Sequence, residues 1–276
     1  MARVITLTTD FGPADGFPAA MKGVILGISP GAQVVDITHD VPPQGIAHAS
    51  FVLGAVAPYF PAGSIHVAVV DPGVGTARAA LVVRAPDGTL YVGPDDGVFS
   101  HVLSAEGPLP WASHGRPFLS PGRGPLPSGF CAWRIESPAF MREEVSRTFH
   151  GRDVFAPAAA HLAEGVPPDG MGPGVTEVSC LNLPGPREEG GRLAGHVQHV
   201  DRFGNLVTDI PGSRVLQAFR SLEVGGRVIR RLSASYRDAG ELGCVVGSHG
   251  YLEIASFGQD AAEALGCGVG DEVVVE

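Results

Sequence analysis

The order of the apolar runs constrains this chain more than any other feature. In the first half, short β-rich runs alternate with longer helix-patterned ones. Val4–Thr8 is followed by Phe17–Ile28, Gln33–Ile37 by Ala47–Tyr59, and Ser64–Val70 comes next. Parallel strands need a crossover of about a dozen residues or more, commonly a helix, and this alternation supplies one each time. Ser29-Pro30-Gly31 stops the first helix and Pro61 the second. Leu81–Arg84 and Leu90–Val92 read as a hairpin around Pro86-Asp87-Gly88, and Phe155–Ala163 as a further helix. The pattern predicts an α/β domain with a largely parallel sheet.

Residues 105–130 are rich in Gly, Pro and Ser and read as a long, mobile surface insertion. A second cluster of such residues runs from Pro167-Pro168 through Gly172-Pro173-Gly174 and Pro184-Gly185-Pro186 to Gly190-Gly191. Beyond it the pattern changes to short strands: Leu193–Val200, Leu206–Asp209, Leu222–Val224, Leu242–Val246, Tyr251–Ala255 and Glu272–Val275. Ala261–Leu265 alone reads as helical there. The predicted organisation is an α/β N-terminal domain over 1–170, a linker region over 171–191 and a smaller, mostly β, barrel-like C-terminal domain over 192–276.

Composition bounds the function. Hydrophobic residues make up 44% of the 276 and charged ones 17%, ample for a buried core. The net charge is −10 and the arginines are scattered, which argues against a nucleic-acid binder and for a small ligand. No apolar stretch approaches the roughly 20 residues that span a bilayer. Met1-Ala2-Arg3-Val4 passes straight into a strand pattern without the apolar core of a signal peptide. Cys131, Cys180, Cys244 and Cys267 are widely spaced, which predicts reduced thiols, a cytoplasmic location and no structural zinc.

In open α/β sheets, ligands bind outside the carboxyl ends of the strands. Asp10 and Asp71 fall there. Asp71 and Arg78 flank Pro72-Gly73-Val74-Gly75-Thr76, a glycine loop with neither G-x-G-x-x-G nor a P-loop lysine. His150 sits in Thr148-Phe149-His150-Gly151-Arg152-Asp153, just before a helix. An acid, a permanent cation and an imidazole can together hold and polarise one water. Each residue also has a plain structural alternative. Asp10 and Asp153 could cap helices, Asp71 and Arg78 could form a loop ion pair, and Asp201-Arg202-Phe203-Gly204-Asn205 has the chemistry of a β-turn. His39-Asp40, His48, His66 and Asp71 are metal-ligand types without H-E-x-x-H or comparable spacing, and no G-x-S-x-G elbow occurs. The residues point to a hydrolase that needs no metal.

Seven segments taken in order sharpen that reading: Thr9-Asp10-Phe11-Gly12, Val35-Asp36-Ile37-Thr38-His39, Val70-Asp71-Pro72-Gly73-Val74-Gly75, Gly93-Pro94-Asp95-Asp96-Gly97, Thr148 to Pro157, Asp201 to Asn205, and Gly250-Tyr251-Leu252-Glu253-Ile254-Ala255. In register they resemble the S-adenosyl-L-methionine (SAM) hydrolases that form adenosine, also called SAM hydroxide adenosyltransferases, relatives of the bacterial fluorinase and chlorinase. The resemblance covers the chain apart from the 105–130 insertion. It implies SAM as substrate, adenosine and L-methionine as products, no cofactor, and a homotrimer with active sites between subunits. It implies that Asp71, Arg78 and His150 handle the water and that Asp10 takes the ribose hydroxyls. Asp15 and Asp201 would lie near the methionine ammonium, Asn205 would read adenine, and Ser248 and His249 would lie near the methionine carboxylate. His249 stands where the fluorinase has an arginine, Phe17 where it has a serine and Val207 where it has a tryptophan. Rival readings are a SAM-dependent halide adenosyltransferase and a non-catalytic SAM- or adenosine-binding protein.

Overall fold

The computed structural model describes residues 3–105 and 107–276, so position 106 of the predicted insertion lies outside the described residues. The chain divides into two compact units, one ending at Leu183 and the other beginning at Pro184.

The first unit is built on strands β1 (Val4–Thr9), β2 (Gln33–Thr38), β3 (Ile65–Val69), β4 (Ala80–Arg84), β5 (Leu90–Pro94), β6 (Pro121–Pro125), β7 (Cys131–Arg134), β8 (Gly174–Val175) and β9 (Glu177–Leu181). Its helices are α1 (Phe17–Ile28), α2 (Ile46–Val56), α3 (Ser100–Leu103) and α4 (Ala156–Ala163). The main sheet has the order β2-β1-β3-β5-β4-β7-β8. It is parallel from β2 to β5 and antiparallel from there to β8. The sheet is therefore mixed rather than largely parallel, because the tight Pro86-Asp87-Gly88 turn can only join antiparallel neighbours.

Successive strand residues alternate between the two faces, and each face has its own core. Ile5, Leu7, Ile65, Val67, Val69 and Val92 pack with Met21 and Ile25 of α1 and with Ala158, Ala159 and Leu162 of α4. Ala68, Val70, Leu81, Val83 and Tyr91 pack with Ala49 and Leu53 of α2 and with Val102 and Leu103 of α3. Both faces being covered explains why the strands read as continuous apolar runs.

Two expectations need correction. The 105–130 segment carries a strand, because β6 pairs antiparallel with β9. The buried Asn182 amide also donates to the carbonyls of Ser113, Arg116 and Pro117. The 171–191 stretch is not all linker, since β8 and β9 within it belong to the first unit.

The second unit comprises β10 (Arg187–Glu189), β11 (Arg192–Val200), β12 (Leu206–Pro211), β13 (Leu222–Val224), β14 (Arg227–Ile229), β15 (Leu232–Ser233), β16 (Gly243–Val246), β17 (Tyr251–Ala255) and β18 (Glu272–Val275), with short helices α5 (Tyr236–Ala239) and α6 (Ala261–Leu265). The strand order is β14-β13-β18-β11-β12-β17-β16-β15, with β10 on β11. The path is open: among the described residues no pairing joins β14 to β15, so hydrogen bonds do not close a barrel. β11 gives Leu193–His196 to β18 and Val197–Val200 to β12. Val197, Leu206, Ile210, Leu252, Ile254 and Val273 form the core.

Candidate functional site

In the first unit, Thr9 of β1 pairs with Val69 of β3, so Asp10 and Asp71 leave the same edge of the sheet. Arg78 reaches back across the glycine loop and grips Asp71 with two N–H groups. Nε donates to Oδ1 at 2.8 Å, and Nη2 donates to Oδ2. The same Nη2 lies 2.7 Å from His150 Nδ1. The guanidinium carbon stands 5.2 Å from the centre of the buried Phe155 ring. The Asp71 and Arg78 side chains are only 5% and 11% exposed, so the pair is shielded from bulk solvent and acts at reduced dielectric.

These contacts fix the state of His150. Arginine can only donate, so Nδ1 must accept and the ring proton sits on Nε2. Burial lowers the His150 pKa, and the adjacent Arg78 charge lowers it further, against the opposing pull of Asp71, Asp153 and a hydrogen bond with the Ser146 backbone. The imidazole is neutral at neutral pH.

Local chemistry explains how the loops meet. Gly75 has φ +76°, and a Cβ there would lie 2.4 Å from the Arg147 carbonyl oxygen, so only glycine lets the two segments touch. Asp153 does not cap α4. Its carboxylate accepts from Ser146 N at 2.9 Å and from Arg152 Nε at 2.6 Å, which folds the 146–153 loop back on itself. Burial pushes the Asp153 pKa up, but the Arg152 and Ser146 hydrogen bonds prevail and hold it below the usual range. The Gly151–Phe155 stretch that follows His150 is a π turn, a wide turn frequent at functional sites.

Asp10 Oδ2 accepts from the backbone N–H of Gln44 at 2.8 Å. Gln44 holds φ +62°, a conformation rarely adopted by non-glycine residues. Asp15 lies exposed in the loop before α1. Phe17 is 43% exposed and packs edge-on against Phe11 and Phe149.

The second unit contains a cavity of about 690 Å³ whose lining includes Asp201, Asn205, Ser248 and His249. Four of the predicted binding residues thus converge. Asp201 largely serves its own turn: Oδ1 accepts from Phe203 N and Asn205 N, and Oδ2 accepts from Asn205 Nδ2 at 2.8 Å. With its amide nitrogen so used, Asn205 keeps its carbonyl for another partner. His249 Nδ1 lies 3.4 Å from Glu253, a carboxylate 1% exposed that also accepts from Tyr236 Oη at 2.8 Å. Val207 is fully buried in β12.

Sequence reasoning gave no role to Tyr236, Phe203 and Phe257, which line the cavity, or to Glu253 beneath it. Glu253 had a usable signal, a lone acid inside an apolar strand run. The candidate metal-ligand types do not gather. His66 Nδ1 bonds Thr6 and its ring stacks on Tyr91, with its pKa pushed down to about 4 by burial. His39 bonds Thr9 and Asp36. Among the described residues no group of three or more His, Cys, Asp or Glu is placed to hold a metal ion.

Residues 5–172 match the SAM hydroxide adenosyltransferase N-terminal domain, and residues 195–274 match its C-terminal domain. The chain belongs to the SAM hydroxide adenosyltransferase family. It is 38% identical to the (R)-S-adenosyl-L-methionine hydrolase of Salinispora tropica over 98% of this chain and 97% of that one. Identity to the protein of the same name from Thermus thermophilus is 40% over 96% of each. The fluorinase of an Actinoplanes species is more distant, at 23%. An uncharacterized conserved protein from Thermotoga maritima has a similar structure, with a TM-score of 0.84 at 32% identity, covering 98% of this chain and 99% of its own.

Proposed function

We propose that this member of the family hydrolyses SAM to adenosine and L-methionine. The observation that carries the reading is the Arg78 fork: two N–H groups on Asp71 and one on neutral His150, in a chain whose full-length relatives are named SAM hydrolases. The water oxygen bonds to the ribose 5′ carbon. The carbon–sulfur bond breaks with its electron pair going to sulfur, and one proton is released. The leaving group is a neutral thioether and needs no acid. The barrier lies in making water nucleophilic. None of these three bonds uses Arg78 Nη1, which is therefore available to hold charge that develops on the water as it becomes hydroxide. Asp71 and His150 fix the plane of the guanidinium. His150, with Nδ1 taken by Arg78 and Nε2 already protonated, acts by orientation rather than as the first proton acceptor.

In this reading Asp10 takes the ribose hydroxyls, its position set by Gln44. Asn205 reads adenine with its carbonyl. Asp201 first orients Asn205, and with Asp15 it supplies acid character for the methionine ammonium. Ser248 and His249 face the methionine carboxylate. The enzyme uses no cofactor, acts in the cytoplasm as a homotrimer, and completes each site from two subunits. The four free thiols agree with a reducing compartment.

Incubating the protein with SAM in chloride buffer tests the function. Adenosine and methionine are the expected products, unaffected by a chelator. Chlorodeoxyadenosine as the main product would replace water by halide as the nucleophile. Arg78→Ala and His150→Ala should each lose about 100-fold or more in kcat while staying folded. Unchanged rates in both would remove the triad from the mechanism.

A further inference from the structure

One acid near this cluster has no part in the reading above. Asp96 follows β5, and two strand registers converge on it. β4 pairs with β5 through Ala80 opposite Pro94, and the ladder runs on with Asp95 N donating to the Ala79 carbonyl at 2.9 Å. Continued one step further, that register sets Asp96 across from Arg78. On the other side, β3 runs parallel with Val67 opposite Val92. The strands stay in close contact beyond that pair, since a Cβ on Gly93 would lie 2.3 Å from the Ala68 carbonyl oxygen. Continued at the same spacing, this register sets Asp96 beside Asp71. Asp96 Oδ1 accepts from Val98 N at 3.0 Å, whereas Oδ2 is buried without a hydrogen-bond partner. A buried carboxylate oxygen left that way is costly, and a neutral carboxyl avoids most of the penalty.

We propose that Asp96 is a positioning residue of the Asp71–Arg78–His150 site, a carboxyl kept neutral beside Asp71 so that Arg78 answers to one carboxylate and not two. The inference rests on the water-handling role given to Arg78 above. The charged groups around Asp96 are Asp71 from the end of β3, Arg78 ahead of β4, and Asp95 on its own loop. Asp95 is already tied to Arg123 at 2.7 Å, and His150 reaches the cluster only through Arg78. Burial above all, and then the negative charge of Asp71, push the Asp96 pKa up to about 8, against the Val98 N–H and Arg78. Once ionised, Asp96 would compete for the guanidinium and weaken its hold on developing hydroxide. Turnover then declines as pH climbs through that value.

The test compares kcat/KM for SAM hydrolysis at about pH 6.5 and about pH 9.5 in the parent, Asp96→Asn and Arg78→Ala. Whatever its absolute rate, Asp96→Asn should show an alkaline-to-neutral ratio several-fold higher than the parent, because Asn cannot ionise. Identical ratios, with Arg78→Ala inactive, would overturn the Asp96 proposal and leave the Arg78 reading standing. An Arg78→Ala variant as fast as the parent would remove both. A second measurement does not depend on any variant folding. In the parent labelled with carbon-13 at the aspartate carboxyls, one resonance should titrate near pH 8. Titration of every aspartate below about pH 5 would refute the neutral carboxyl.

Discussion

In the proposed mechanism Arg78, a permanent cation, takes the part that histidine or a metal plays in many hydrolases. Its contribution depends on how its N–H groups are shared, and the residues around it carry measurable consequences for stability. Asp96 has an ordinary pKa of 3.8 and a folded one of about 8. Between those values the native state keeps a proton that the unfolded chain has released, so stability falls as pH rises through that window. His150 works in the other direction. Its folded pKa is lowered, so the unfolded chain binds the proton more readily, and stability is lost as pH falls below its ordinary value of 6.5. Asp96→Asn should therefore melt higher than the parent at about pH 8, and the gap should narrow toward about pH 4, as thermal scans across that range would measure. A constant gap would mean that folding leaves the Asp96 pKa at its ordinary value. The asparagine is also the nearest isostere of the neutral acid, so the comparison isolates charge from shape.

Among the elements, the glycine loop between Asp71 and Arg78 and the 146–153 loop form the junction that brings His150 to Arg78. Gly75→Ala is expected to cost about 1–3 kcal/mol, from the left-handed φ and the clash with Arg147 together. It should also lower kcat by displacing His150. Denaturant unfolding and steady-state kinetics on the same preparation would check both, and a variant with parental stability would show that the loops can separate freely. This junction was only partly legible in the sequence. The glycines, Asp71, Arg78 and His150 were visible as turn residues, but nothing local tied position 75 to position 147. The strand inside 105–130 was hidden for a similar reason. Pro121–Pro125 has no β-propensity to speak of and becomes a strand only because β9 offers it a ladder. The helix over Phe17–Ile28, by contrast, matched residue for residue. Pro18 near its start and Pro30 just past its end mark it locally.

For the molecule as a whole, the homotrimer is a prediction open to direct measurement. Light scattering should give a mass three times the 28.5 kDa of the chain. A monomer that still turns over SAM would show that one chain suffices for a complete site. The alternation of strands and helices in the first half, and the shift to a mostly β pattern in the second, were determined by the sequence itself. Both are written in short-range periodicity, and apolar residues at period 2 or 3.6 must bury one face or lose the hydrophobic term. The candidate chemistry was also nameable from residues 10, 71, 78 and 150 in order. Tertiary structure alone decided the direction of β4, the strand hidden in 105–130, the fork of Arg78 on Asp71 and the partnering of Glu253 with His249 and Tyr236. It also decided the burial that keeps Asp96 near Asp71 and Arg78. Most of these are contacts between residues distant in the chain or on neighbouring strands, and the fork of Arg78 on Asp71, though seven residues apart, forms only when the loop between them closes. Their energies arise from desolvation and from N–H groups meeting acceptors, and those terms do not exist until the fold has closed around them.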